Sequence, residues 1–590
     1  MHLYGLQMSS VLYSYSLAYY LKSNPRKRKG EKMQEISKYW EQTAFQLHWF
    51  RPWLEVLDVS SAPLYQWFKG GETNITYNTL DKHIYSHRRN KVALIWESED
   101  GVRIRFTYFD LWREVMRFAN VLRCLDVKKG DRVTLYLPNI PEAVITLLGI
   151  ARIGAIHVPV DVRYGPFVLN KILQETGSKV LITVDGYYRK GQPIFLKPTV
   201  DAALSASPQV ESVVLVKRLG KETEVRENFY WYHELMAGQK PEAPLVELEA
   251  NEPLGILYTP NYEGKIVGMV YSHGGYMVGL YKSMEETFGL REMDVVWWAT
   301  ELGSIIGQSY MIYGPLLKGS STVLYEGHLL YPHPERTWSI INKYGISIFG
   351  TYPSRLRSLM PFGGRPVKLW DISTLRCVGL SGEVLDTPLT DWLCENVISK
   401  DKVKNLWITA EIGVFGMISQ EEKVNTPFFQ KIFPVFKPEV VNDKGQILSS
   451  GQNGILGFKQ PLPSMFTHIW QKEALYLKYW TLDNTFLTKD FAEKGETGLI
   501  KLAGHRSTRV INIGGLIIPA ELIELGMERH SAVVAAKARA VPDTTKGQVA
   551  EIEIKLKKGI EQSHELRSEL LNYAKSELGP AVIIKHIIFI

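Results

Sequence analysis

Residues 108–138 read YFDLWREVMRFANVLRCLDVKKGDRVTLYLP, and this stretch decides the fold class. Its first half places Phe109, Leu111, Val115, Phe118, Val121 and Leu122 along one side of a helix, the spacing of a face packed on a core. Its second half, DRVTLYLP (131–138), is a short β-rich run behind a polar turn. The same alternation recurs outward, with KVLITVD (179–185) as the next such run. Helical and strand patterns in turn predict β-α-β units and a mostly parallel sheet, hence an α/β fold. After residue 506 the texture changes. A helix over 519–529, strands over 533–541 and 549–556, a helix over 563–577 and a strand over 583–589 predict a small α+β lobe, 507–590, behind a large domain, 33–506.

Composition sets the class of molecule. The chain has 590 residues, is 45% hydrophobic and 22% charged, and carries a formal charge of +7. Spread over this length, that charge forms no basic stripe with interleaved aromatics, so nucleic acid is not an expected partner. Cys124, Cys377 and Cys394 are far apart and odd in number, which fits a reducing compartment such as the cytoplasm rather than a disulfide or zinc framework. No H-E-x-x-H, G-x-S-x-G or Walker motif is present. The first residues, MHLYGLQMSSVLYSYSLAYYL, are diluted by serines and tyrosines and precede a basic run. They are read as a disordered extension, 1–32, with Met33 as an alternative start; a membrane anchor is the disfavoured alternative.

A second stretch, YTPNYEGKIVG (258–268), bears on function. Its Gly-Lys-x-x-Gly half looks like a phosphate-binding loop. Its front half does not, because Pro260 has no N–H, Tyr262 is bulky and Glu263 is negative.

Many segments together carry a resemblance. TYNTLDKHIYSHRRNKVALIWE (76–97), ITVDGYYRKGQPIFLK (182–197), SHGGYMVG (272–279), GQSYMIYGPLLKGSSTVLYEG (307–327), YGISIFGTYPSRLRSLM (344–360), VINIGGLIIPAELIE (510–524) and HSAVVAAKARAVPDTTKGQ (530–548) resemble the AMP-forming acetyl-CoA synthetases. These are AMP-dependent acyl-CoA ligases of the adenylate-forming superfamily. The resemblance implies a large multi-sheet adenylate-forming domain followed by a small mobile one. It also implies ATP with Mg²⁺, and CoA, as cofactors, for making an acyl-adenylate and then a thioester.

Residue by residue, the match is uneven. The family loop T-S-G-S-T-G-K-P-K-G aligns with Thr259 to Gly268, retaining Thr259, Gly264 and Lys265 as nucleotide-binding candidates. It loses small hydroxyl residues, a glycine and its second lysine, and gains Glu263. Two like charges about 4 Å apart at an effective dielectric near 20 repel by about 4 kcal/mol, so a loop of this descent is expected to hold triphosphate poorly. LWITAEIG (406–413) stands for W-W-Q-T-E-T-G. Glu411 takes the place of the Mg²⁺-binding Glu, as working ligand or relic, and Thr409 is a further nucleotide-binding candidate. Ile408 and Ser304 replace the tryptophans around the acetyl pocket, which implies either a larger acyl group or plain core packing.

GLSGEV (379–384) keeps Gly382 and Glu383 of the adenine segment, and LTKD (487–490) keeps the ribose Asp as Asp490, which could equally be a turn residue. GHRSTR (504–509) offers Arg506 for the nucleotide-contacting Arg but lacks the hinge Asp, and Ile517 stands where the glycine loop carries Arg. Arg189 is the candidate for CoA phosphates. The segment SELGPAVIIKHIIFI ends before the family's P-K-T-R-S-G-K-like tail would begin. The resulting expectation is a degenerate ligase by ancestry. Its alternatives are a non-catalytic subunit binding an adenosine-containing ligand or CoA, with a protein partner or a second copy of itself, and an active ligase for an acid larger than acetate.

Overall fold

The computed structural model describes residues 25–220, 226–383, 385–419 and 428–590, with side chains from residue 33 onward. Most of the expected extension, 1–24, lies outside the described residues. The first helix, Pro25–Ala44, runs across the expected boundary at Met33. Its Trp40 is fully buried, edge-on to Phe433 at 5.3 Å and to Trp67 at 6.3 Å, so this helix is clamped to the main core.

The helix read over 108–125 is Tyr108–Cys124. Thr107 and Asp110 form a capping box at its start, each side chain accepting the other's backbone N–H at 3.1 and 3.0 Å. Leu111, Val115, Phe118, Val121 and Leu122 are buried as the pattern predicts. Phe109 is not. It is half-buried, stacked on Trp112 with the Arg89 guanidinium 3.9 Å from its ring centre. At the helix start the face swings toward the surface, where an aromatic ring can be covered by a cation rather than by core.

The next strand, Arg132–Tyr136, lies inside an eight-stranded sheet between parallel neighbours Val180–Val184 and Ile156–Pro159. That sheet continues through Pro253–Pro260, and its far side turns antiparallel at Ile266–Ser272. A second sheet of thirteen strands holds the parallel run Ile348–Thr351, Cys377–Ser381 and Val403–Ile408. Beyond them it becomes antiparallel, and it includes Phe486–Lys494 paired with Ile500–His505.

The small lobe is a separate five-stranded sheet with helices Ala520–Glu528 and His564–Leu578. Its strands Val533–Asp543, Gly547–Leu556 and Ile584–Phe589 follow the expected order, and Val510–Ile513 and Leu516–Pro519 precede them. The large sheet's Ile500–His505 strand and the small sheet's Val510–Ile513 strand are thus separated by four residues, 506–509. The lobe packs tightly on the large domain. Gly165 N–H donates to the Leu578 carbonyl at 2.9 Å, and a side chain on Gly165 would collide with the Glu577 carbonyl.

Candidate functional site

Three neighbouring parallel strands end together, and the residues just past their carboxyl ends open onto one cavity of about 720 Å³: Tyr352, then Gly382 and Glu383, then Thr409 and Ala410. Ligands of open α/β sheets bind at such carboxyl ends. Thr259 joins from the eight-stranded sheet, Lys489 and Asp490 from the Phe486–Lys494 strand, and Leu516 and Ile517 from the small lobe. Ser304 and Ile408 lie in the same wall. The volume suits a drug-sized ligand.

Gly382 has a φ of +85°, and a Cβ there would sit 2.9 Å from the Tyr352 ring, so only glycine fits. Its carbonyl accepts the Asn512 side-chain amide of the small lobe at 2.9 Å. The neighbouring Glu383 side chain is already engaged. It accepts from the Ser354 hydroxyl at 2.5 Å and the Ser354 N–H at 3.1 Å, and it pairs with Arg357 at 3.2 Å. Burial still pushes its carboxyl above the usual carboxylate range.

Asp490 accepts the Trp407 indole N–H at 2.8 Å. Burial raises its carboxyl to about 6, against the pull of Lys489 and that indole, with Glu411 adding to the rise. Glu411 is fully buried behind the cavity wall. One of its oxygens accepts the Thr409 hydroxyl and lies 3.6 Å from the Lys489 ammonium; the other has no partner.

The loop itself is a closed hairpin. Strand pairing persists to Pro260 opposite Ile266. Asn261, fully buried, accepts the N–H groups of Glu263 and Lys265 on its side-chain oxygen, both at 2.9 Å. Its own N–H donates to the Lys265 carbonyl at 2.8 Å, and its carbonyl accepts from Gly264 at 2.9 Å. Four of the donors a phosphate loop would present are therefore spent inside the turn. Gly264, at φ +79°, packs under Ser507 and Arg509.

Several expectations change as a result. Lys265 is 59% exposed and reaches back to Glu263 at 3.8 Å, so it does not face the cavity. Glu263 also accepts the Tyr262 hydroxyl at 3.2 Å, and with Lys265 beside it the repulsion expected from a bare carboxylate is reduced. Tyr262 is edge-on to Tyr479 at 4.9 Å, and Arg506 lies over the Tyr262 ring at 5.3 Å while donating to the Thr488 carbonyl at 3.1 Å. Arg506 is held there rather than in the cavity lining. Arg189 belongs to a separate cavity of about 60 Å³ with Arg163, Arg355 and Glu301. Burial opposes the charge on Glu301, but Arg163, Arg355 and Arg189 hold its carboxyl down at about 2. Lys489 was not among the residues singled out from sequence, although the lysine in LTKD, where the resembling motif has glycine, is the visible signal.

The comparisons with known proteins agree with this architecture. A family profile described as AMP-binding enzyme matches residues 80–470, and one described as acetyl-coenzyme A synthetase N-terminus matches 30–79. The chain belongs to the acetyl-CoA synthetase-like branch of the AMP-binding, adenylate-forming family. An acetyl-coenzyme A synthetase from Pyrobaculum aerophilum is 36% identical over 584 residues, 95% of this chain and 86% of that protein. One from Methanothrix thermoacetophila is 34% identical over 570 residues, 94% and 86% of the two chains. A 3-hydroxypropionyl-coenzyme A synthetase from Sulfurisphaera tokodaii is 36% identical over 569 residues, 93% and 86%.

Members of this family work with ATP, Mg²⁺ and CoA. Mg²⁺ asks for close, near-octahedral oxygen ligands. In nucleotide sites it is held by one or two carboxylates together with substrate phosphates and water, and Glu411 offers one free oxygen for that. The Lys489 ammonium, 3.6 Å from Glu411, already neutralises that carboxylate and would repel a divalent ion brought to it. With Lys489 in place the residues do not fit a divalent ion. Among the described residues no helix is long and apolar enough to cross a membrane.

Proposed function

We propose that this chain is an acetyl-CoA synthetase relative that binds the adenosine monophosphate half of the family's ligands and has little ATP-dependent ligase activity. One observation carries the reading: the loop over 261–265 is closed on itself, with its N–H groups bonded to Asn261 and Lys265 rather than open to phosphates. Gly382, the backbone beside Glu383, and Asp490 meanwhile line an open cavity. The adenine and ribose end is intact where the triphosphate end is not. Arg163 pairs with Asp161 and Glu301, and Arg355 with Glu301, which leaves Arg189 without an ion-paired carboxylate among the described residues. Lys546 of the small lobe lies within electrostatic reach of it, and this pair of cations is what supports CoA phosphates as a second ligand.

A different reading has its own support. Ser304 and Ile408 leave the cavity wall without the bulk of tryptophan, as a ligase for an acid larger than acetate would need. Carboxylate-dependent ATP–pyrophosphate exchange over acetate, propionate and medium-chain acids separates the two. No exchange above background is expected, together with AMP binding at least as tight as ATP–Mg²⁺ by calorimetry. Robust exchange with any of the acids restores the ligase.

A further inference from the structure

Lys489 is the feature of this site that the family resemblance leaves without a role. It is 4% exposed, yet it lines the cavity beside Thr409 and Asp490. Its ammonium carries three donors, and its one ion pair among the described residues is with Glu411, 3.6 Å away on the oxygen that also takes the Thr409 hydroxyl. The remaining charges of the wall have partners of their own. Glu383 and Asp386 both pair with Arg357, Asp490 takes the Trp407 indole while also feeling the charge of Lys489, and Lys501 pairs with Glu493 at 3.8 Å. His505, also in the wall, is held neutral by burial and by Lys489. A buried ammonium with donors to spare, set between a buried carboxylate and an open cavity, is a receptor for one anionic group.

We propose that Lys489 is a tethered replacement for the divalent cation at Glu411: it neutralises that carboxylate and receives the phosphate of a nucleoside monophosphate, so ligand binding needs no metal. This rests on the nucleotide reading of the cavity given above. A single fixed positive charge matches one phosphate group and offers nothing further to a triphosphate. Glycine in the same place would leave Glu411 open on the cavity side, free to recruit a metal from solution.

The test is calorimetry with AMP, in EDTA and in MgCl₂, on the full chain and on Lys489→Gly. The native chain should bind AMP with affinities equal within about twofold in the two buffers. Lys489→Gly should bind at least about tenfold more weakly in EDTA, the loss of a charge-assisted contact, and should recover with Mg²⁺. Native binding that strengthens tenfold or more with Mg²⁺ overturns the inference while leaving the nucleotide reading standing.

If the native chain binds no AMP, the nucleotide reading falls, and the metal half of the inference is read from Mn²⁺ alone by electron paramagnetic resonance. The native chain should hold no Mn²⁺ that Glu411→Gln removes, and Lys489→Gly should gain one that the added Glu411→Gln abolishes. A native Mn²⁺ site lost in Glu411→Gln, or no gain in Lys489→Gly, refutes it.

Discussion

Replacing Asp490 by Asn removes a carboxyl that the fold holds against its preference. In the unfolded chain the group titrates near 3.8, and in the fold near 6, chiefly because it is buried. Between those values the folded state binds the proton more strongly than the unfolded one, so stability falls as pH rises through the window. Above pH 6 the full penalty stays, about 3 kcal/mol for a shift of about two units at 1.36 kcal/mol each. Asn keeps an oxygen for the Trp407 indole, 2.8 Å away in the native site, and carries no charge to desolvate.

Asp490→Asn should therefore stabilise the chain at pH 7.5 and leave it unchanged at pH 3.5. With an unfolding entropy of about 2.1 cal/mol/K per residue, a large domain gains about 3 °C in melting midpoint. The same variant should lose AMP affinity, because a carboxylate kept at a cost to stability is one that serves a ligand. Thermal melts at the two pH values, with calorimetry at pH 7.5, measure all of this. A midpoint that drops at pH 7.5, or rises equally at both, refutes the account of Asp490.

Other outcomes follow from the same geometry. Asn261→Ala strips the acceptor from the Glu263 and Lys265 N–H groups, at about 0.5–1.5 kcal/mol for each hydrogen bond lost on this exposed turn; hydrogen exchange at residues 263–265 should speed up at least about tenfold, and unchanged protection would mean the hairpin is held otherwise. Trp40→Ala should destabilise the large domain by about 3–5 kcal/mol, as expected for a fully buried tryptophan, and a denaturation midpoint close to native would show that the first helix is not part of the core. Gly515→Ala puts a Cβ 2.3 Å from the Tyr352 ring at a φ of +86°; small-angle scattering should report a displaced small lobe, and an unchanged profile would mean that this contact does not hold it. AMP affinity of the native chain should fall as pH drops through 6, as Asp490 gains its proton; a flat profile from pH 5 to 7.5 would remove the carboxylate from binding.

The residue pattern determined the α/β class, the helix at Tyr108–Cys124 and the order of the small lobe from its first helix onward, though not the hairpin Val510–Ile513 and Leu516–Pro519 before it, because periodicity and turn residues act over near neighbours. It also determined that the loop after Tyr258 was chemically unlike a phosphate loop, since that follows from residue types alone. The direction each side chain takes was decided by tertiary structure. Lys265 and Arg506 point away from the cavity because Glu263 and the Tyr262 ring lie where strand pairing put them. The donors of the loop are spent because Pro260 and Ile266 stay in register, which lets Asn261 close the turn. Lys489 and Glu411 are far apart in the chain and meet only because their segments converge on the edge of one cavity. A charge is screened or paired by whatever the fold brings within a few ångströms of it, and that neighbourhood is a property of the packed sheets rather than of the local sequence.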